Sequence, residues 1–143
     1  MMLPHSASDT AHPWGDKSTP YDELGGADVL SDLVNHFYDR MDAESPGLRA
    51  MHPADDNNSR RNLYEFLSGW MGGPPLYMER KGHPKLRMRH FPFSIGAAEA
   101  EEWMRCMRGA FDDVGVAALL RSYLEVRLDQ TAHHVRNTGE EPG

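Results

Sequence analysis

Apolar side chains recur along this chain at intervals of three and four, and no convincing stretch alternates with polar residues as a strand does. Val29, Leu33, Phe37 and Met41 fall four apart, with Leu30, Val34 and Tyr38 in the adjacent row. Together they predict a helix from Ala27 to about Met41 with a wide apolar face. Upstream, Thr19-Pro20-Tyr21-Asp22 reads as a helix start: a capping hydroxyl, proline at the first helical position and an acid in the first turn. Gly25-Gly26 keeps that helix short. Ser45-Pro46-Gly47 is read as a break, and His52-Pro53 opens a second one, because a residue before proline avoids the helical region. Leu63, Phe66, Leu67, Trp70 and Met71 predict a helix from about Ser59 to Met71, stopped by Gly72-Gly73-Pro74-Pro75. Leu76 to Phe93 is expected to be irregular, with one short helical piece from about Lys85 to His90 that Pro92 cannot extend. Two longer helices follow, one through Ala100, Trp103, Met104, Met107 and Phe111, the other through Val116, Leu119, Leu120, Tyr123, Leu124 and Arg127. The fold class is all-α, with about four substantial helices and several short pieces.

A chain of 143 residues suits one domain with one core. We expect it over residues 19–137, between flexible tails at 1–18 and 138–143. Met1 to Ser18 is rich in His, Pro, Ser and Asp and lacks the apolar stretch of a secretory signal. No apolar run approaches the roughly 18–20 residues a membrane span needs. Cys106 is the one cysteine, so no intrachain disulfide forms. A cytoplasmic protein without a membrane or nucleic-acid partner is expected, the latter because the net charge is -7.

That charge is uneven. Five of the 15 basic residues lie between Arg80 and Arg89 with no acid among them, and the other ten face 22 acids. The run reads either as a solvated loop or as a local anion site. No Gly-x-Ser-x-Gly, Cys-x-x-Cys, phosphate loop or His-Glu-x-x-His motif is present. His133 and His134 point about 100° apart on a helix, which does not suit one metal. His90 ends the cationic piece and precedes Phe91-Pro92-Phe93; it reads as a packing histidine or as one with a free ring nitrogen. The nine Met, five Phe and three Trp likewise fill a closed core or line a cavity for a flat apolar ligand. Haem joins an apolar macrocycle, two carboxylates and an iron that takes an axial imidazole, so it meets the second reading at each of these points.

The order of motifs sharpens the choice. Tyr21-Asp22-Glu23-Leu24-Gly25-Gly26, Phe37-Tyr38, His52-Pro53 and Gly72-Gly73-Pro74 together resemble the truncated haemoglobins. The segment Gly82-His83-Pro84-Lys85-Leu86-Arg87-Met88-Arg89-His90-Phe91-Pro92-Phe93, followed by Trp103, resembles their group II specifically. The resemblance spans about Tyr21 to Leu128. It implies a two-over-two α-helical sandwich around haem b, with His90 as the proximal iron ligand. It implies a distal side of Tyr38, His52 and Trp103, whose O–H and N–H donors stabilise a diatomic ligand carrying partial negative charge. Leu63 and Phe66 match distal packing positions. Two departures stand out. Ser59 falls near the place where many globins carry a distal histidine, and Asn62 stands where relatives often have a basic residue near a propionate. The propionate contacts are therefore expected from Tyr77, His83, Arg87 or another member of the cation run Arg80, Lys81, Lys85, Arg87 and Arg89.

The resemblance implies reversible binding of dioxygen or another diatomic ligand. An alternative on the same haem is redox catalysis, peroxidase-like or nitric oxide-oxidising, with electrons from an external reductase. A third reading, from charge alone, is a helical adaptor whose basic loop meets an acidic partner.

Overall fold

Thr19 sets the start of the first helix: its hydroxyl accepts a hydrogen bond from the Asp22 backbone N–H at 3.0 Å. Pro20 occupies the first helical position, where its missing N–H has no partner to lose. This helix, α1 (Pro20–Leu24), ends where Gly25 and Gly26 take φ of 122° and 83°, a region that side-chain-bearing residues rarely adopt. The computed structural model describes residues 12–82 and 97–134, with seven helices and no β-strand among them.

Helix α2 (Ala27–Glu44) carries the expected apolar face, with Leu30, Leu33, Val34, Phe37, Tyr38 and Met41 buried. The chain bends at Ser45 but does not break for long. Ser45 precedes Pro46, which opens the short α3 (Pro46–Arg49), so the Ser45-Pro46-Gly47 break is in part a helix start. Helix α4 (Asn57–Trp70) follows. Past its end, Gly73 lies against Tyr21, where an added Cβ would stand 2.5 Å from the ring. The Ser68 hydroxyl donates to the Pro74 carbonyl at 2.7 Å and holds the turn. Helix α5 (Leu76–Lys81) corrects the expectation of irregular chain after Leu76: Pro74 and Pro75 stop one helix and lead directly into the next. Among the described residues, α6 (Ala97–Val114) and α7 (Ala118–His134) follow.

α2 packs chiefly across α6, with α4 beside α2 and α7 beside α6. Two helix pairs thus face one another in the expected two-over-two sandwich. Its centre is Phe37, Met41, Leu67, Met71, Met104, Met107, Phe111, Leu120 and Leu124, all at most 1% exposed. Truncating a side chain such as Phe37 to Ala costs about 3–5 kcal/mol through lost burial and the cavity left behind. Cys106 is buried beside Ser45, and burial pushes its thiol pKa up.

The reading of residues 1–18 as a tail needs correction at 12–18. Trp14 packs edge-on to Tyr123 of α7 with ring centroids 5.2 Å apart, and its indole N–H donates to the Lys17 carbonyl at 2.9 Å. The tail at 138–143 and the helical piece expected at Lys85–His90 lie outside the described residues.

Candidate functional site

The methionines and the aromatics part company in the structure. Met41, Met71, Met104 and Met107 close the core, whereas Leu63, Phe66 and Trp70 of α4 and Trp103 of α6 pack against it and stay half-covered. On α4 only Leu67 and Ser68 are fully buried. The rest of its apolar stripe is the kind of surface that a flat hydrophobic ligand covers.

Beside that stripe lies a row of aromatic rings. The His52 ring meets Tyr38 edge-on at 5.6 Å, Tyr38 meets Phe37 at 5.0 Å, and Phe37 meets Trp103 at 4.9 Å. Phe37 and Tyr38 are neighbours on α2, so one turn of one helix connects a side chain after α3 to one on α6. The Tyr38 hydroxyl donates to the Ser59 carbonyl at 3.3 Å, in the first turn of α4. Burial, and then the Asp56 carboxylate, push its pKa far above the ordinary phenol range, although Arg60 and Arg49 pull the other way. Tyr38 is therefore a neutral donor. His52 Nδ1 lies 3.1 Å from the Leu48 carbonyl and donates to it. Among the described residues nothing accepts a hydrogen bond from the Trp103 indole N–H.

A polar frame that the sequence reading missed holds these donors. Arg49 pairs with Asp42, and its guanidinium donates to the carbonyls of His52, Pro53 and Ala54. Arg60 donates to Asp56 at 2.9 Å, to Asp39 at 3.1 Å and to the Asn35 side chain at 3.0 Å, and its guanidinium stands 5.4 Å from the Tyr38 ring centre. It ties the start of α4 to α2 around Tyr38. The charges of this frame come from separate helices, so no spacing in the sequence announces it.

A family model for bacterial-like globins matches residues 19–137. The chain is 42% identical to the group 2 truncated hemoglobin of Bacillus subtilis (strain 168) over 123 residues, covering 86% of this chain and 92% of that one. Its fold superposes on the group II truncated hemoglobin of Bacillus anthracis with a TM-score of 0.82 at 40% identity, covering 85% of this chain and 98% of that one. The group II 2-on-2 hemoglobin of Agrobacterium tumefaciens gives a TM-score of 0.82 at 38% identity, over 87% and 98% of the two chains.

The chain belongs to the group II truncated haemoglobins.

In this truncated haemoglobin the structure brings together Tyr38, His52 and Trp103, the residues expected on the distal side. Leu63 and Phe66 lie on the half-covered stripe, and Tyr77 is buried on α5 at 5% exposure. Ser59 contributes a backbone carbonyl rather than an imidazole. His90, His83 and Arg87 lie outside the described residues. The residues present fit a haem: an apolar stripe for the macrocycle and three N–H or O–H groups in one connected row beside it. Among the described residues, no helix is long and apolar enough to cross a membrane.

Proposed function

We propose that the protein binds haem b through an axial bond from His90 and reversibly binds dioxygen, or another diatomic ligand, on the side lined by Tyr38, His52 and Trp103. The observation that carries this reading is the unbroken row of rings from His52 through Tyr38 and Phe37 to Trp103, beside a half-covered apolar stripe. When bound, the haem iron supplies the coordination site for the diatomic ligand. The chain supplies the rest. Leu63 and Phe66 cover the ring and exclude water. Tyr38 and Trp103 present an O–H and an N–H, which favour partial negative charge on a ligand. His52 adds a third donor that depends on its protonation. Tyr77, His83 and Arg87 are the proposed contacts to the propionates. Membership of the group II family supports the reading, and a solved relative from Bacillus subtilis is described as a truncated oxygen-avid haemoglobin.

The test is haem titration of the purified protein followed by oxygen binding to its ferrous form. One haem per chain, a sharp Soret band and reversible spectral change with oxygen are expected. Failure to form a Soret complex at equimolar haem overturns the reading.

A further inference from the structure

One arginine of α5 reaches across to α4. Arg80 Nη2 donates to the Asn62 side-chain carbonyl and lies 2.7 Å from Glu65 Oε1, to which Nε also donates, at 2.7 Å. Arg61 meets the other oxygen of the same carboxylate at 3.1 Å. Two guanidiniums thus share one carboxylate, and the cluster carries one positive charge in excess. The carboxylate is held low: burial alone would raise its pKa, but the bonds and charges of Arg80 and Arg61 outweigh that.

Nε and Nη2 of Arg80 are engaged with Glu65 and Asn62, and among the described residues nothing accepts from Nη1, whose two N–H groups are left for an anion. Asn62 gives its carbonyl to Arg80 and keeps its amide N–H₂ as a further donor. The position of this cluster is what makes it useful. Asn62 adjoins Leu63 and precedes Phe66 by one helical turn, so the cationic edge borders the half-covered apolar stripe. The other arginines near the distal side are differently engaged, Arg60 with Asp56, Asp39 and Asn35, and Arg49 with Asp42 and three carbonyls.

From this arrangement we infer that Arg80, steered by Asn62 and Glu65, is a binding residue for a carboxylate of the haem. The ligand is a flat apolar ring bearing carboxylates at one edge: the ring lies on Leu63 and Phe66, and a carboxylate reaches past the edge of α4 to Nη1. The inference rests on the haem-binding reading, and the experiment separates the two.

Haem loss to excess apomyoglobin is measured for the ferric wild type, Arg80→Gln and Arg80→Lys. Each is loaded once with protohaem and once with protohaem dimethyl ester, whose propionates carry no charge. A partly exposed ion pair is worth up to about 1 kcal/mol, so Arg80→Gln is expected to lose protohaem about 2- to 5-fold faster than wild type. Arg80→Lys keeps the charge and falls between the two. With the dimethyl ester, wild type and Arg80→Gln lose the ring at one rate. Equal rates with protohaem overturn the inference. So does equal acceleration with both rings, which makes Arg80 only a cross-link between α4 and α5. A wild type that takes up neither ring overturns the haem reading itself.

Discussion

The hydroxyl of Tyr38 donates to the backbone carbonyl of Ser59, 3.3 Å away, so the most deeply buried donor of the site already has an acceptor. Trp103 differs: its indole N–H meets no acceptor among the described residues. Turning Tyr38 toward a ligand gives up its existing bond, whereas Trp103 gives up none. A hydrogen bond to a bound ligand is worth roughly 1–3 kcal/mol, or about 5- to 150-fold in equilibrium. Trp103→Phe should therefore accelerate oxygen release more than Tyr38→Phe, with Tyr38→Phe near the lower end of that range. Stopped-flow release from the two ferrous-oxy variants checks the order. A larger effect from Tyr38→Phe contradicts it, and a double variant releasing oxygen at the wild-type rate removes both side chains from ligand stabilisation.

The proposed role of His52 predicts that ligand release depends on pH. Its Nδ1 donates to the Leu48 carbonyl, so the neutral ring carries its proton there, and Nε2 becomes a donor only when the ring is cationic. Tyr38 stays protonated throughout, because burial and the Asp56 charge hold its pKa far above the ordinary value. Oxygen release should therefore slow as pH falls from about 8 to about 5, the window in which histidine titrates. His52→Phe should flatten the profile while haem binding persists. Parallel profiles for the two proteins would take His52 out of the ligand-stabilising set.

Asp56 anchors the frame around Tyr38. One carboxylate oxygen accepts from Arg60 at 2.9 Å; the other is buried, 3.9 Å from Arg49, and accepts no hydrogen bond from a side chain or backbone among the described residues. Burial favours the protonated form, but Arg60 and Arg49 outweigh it and hold the pKa below the ordinary carboxylate range. Such a depressed carboxyl contributes stability above its unfolded pKa and loses it as pH falls through the folded value. Asp56→Asn leaves Arg60 short of its partner and should cost about 1–3 kcal/mol at pH 7. Its stability should also fall less steeply than that of wild type below about pH 4. Urea unfolding at neutral and acid pH measures both, and an unchanged acid slope would show that Asp56 carries no such linkage.

What could be read in advance follows from the range of the interactions involved. The four long helices were legible because their apolar faces repeat every three to four residues, as in Leu30, Val34 and Tyr38. Tyr38, His52 and Trp103 stood out through a resemblance in motif order; their spacing alone does not join three separate segments of chain. The short α3 and α5 were hidden because Pro46 and Pro75 act at once as stops and as starts. Trp14 was assigned to a tail because its partner, Tyr123, lies more than a hundred residues away. The roles of Arg49 and Arg60 were illegible for the same reason, and Arg80 was legible only as one member of the cation run: each charge meets its partners only after α2, α4 and α5 have packed.

Whether His90 bonds the haem iron is decided by the ferrous spectrum. Wild type and His90→Ala are compared as deoxy ferrous proteins reconstituted with equimolar haem, first without and then with added imidazole. Wild type should show a five-coordinate histidine-ligated spectrum. His90→Ala should lose that spectrum, retain haem less well and melt lower, since haem stabilises the folded state by mass action. Added imidazole should restore the spectrum. An unchanged ferrous spectrum in His90→Ala without imidazole would remove His90 from the iron.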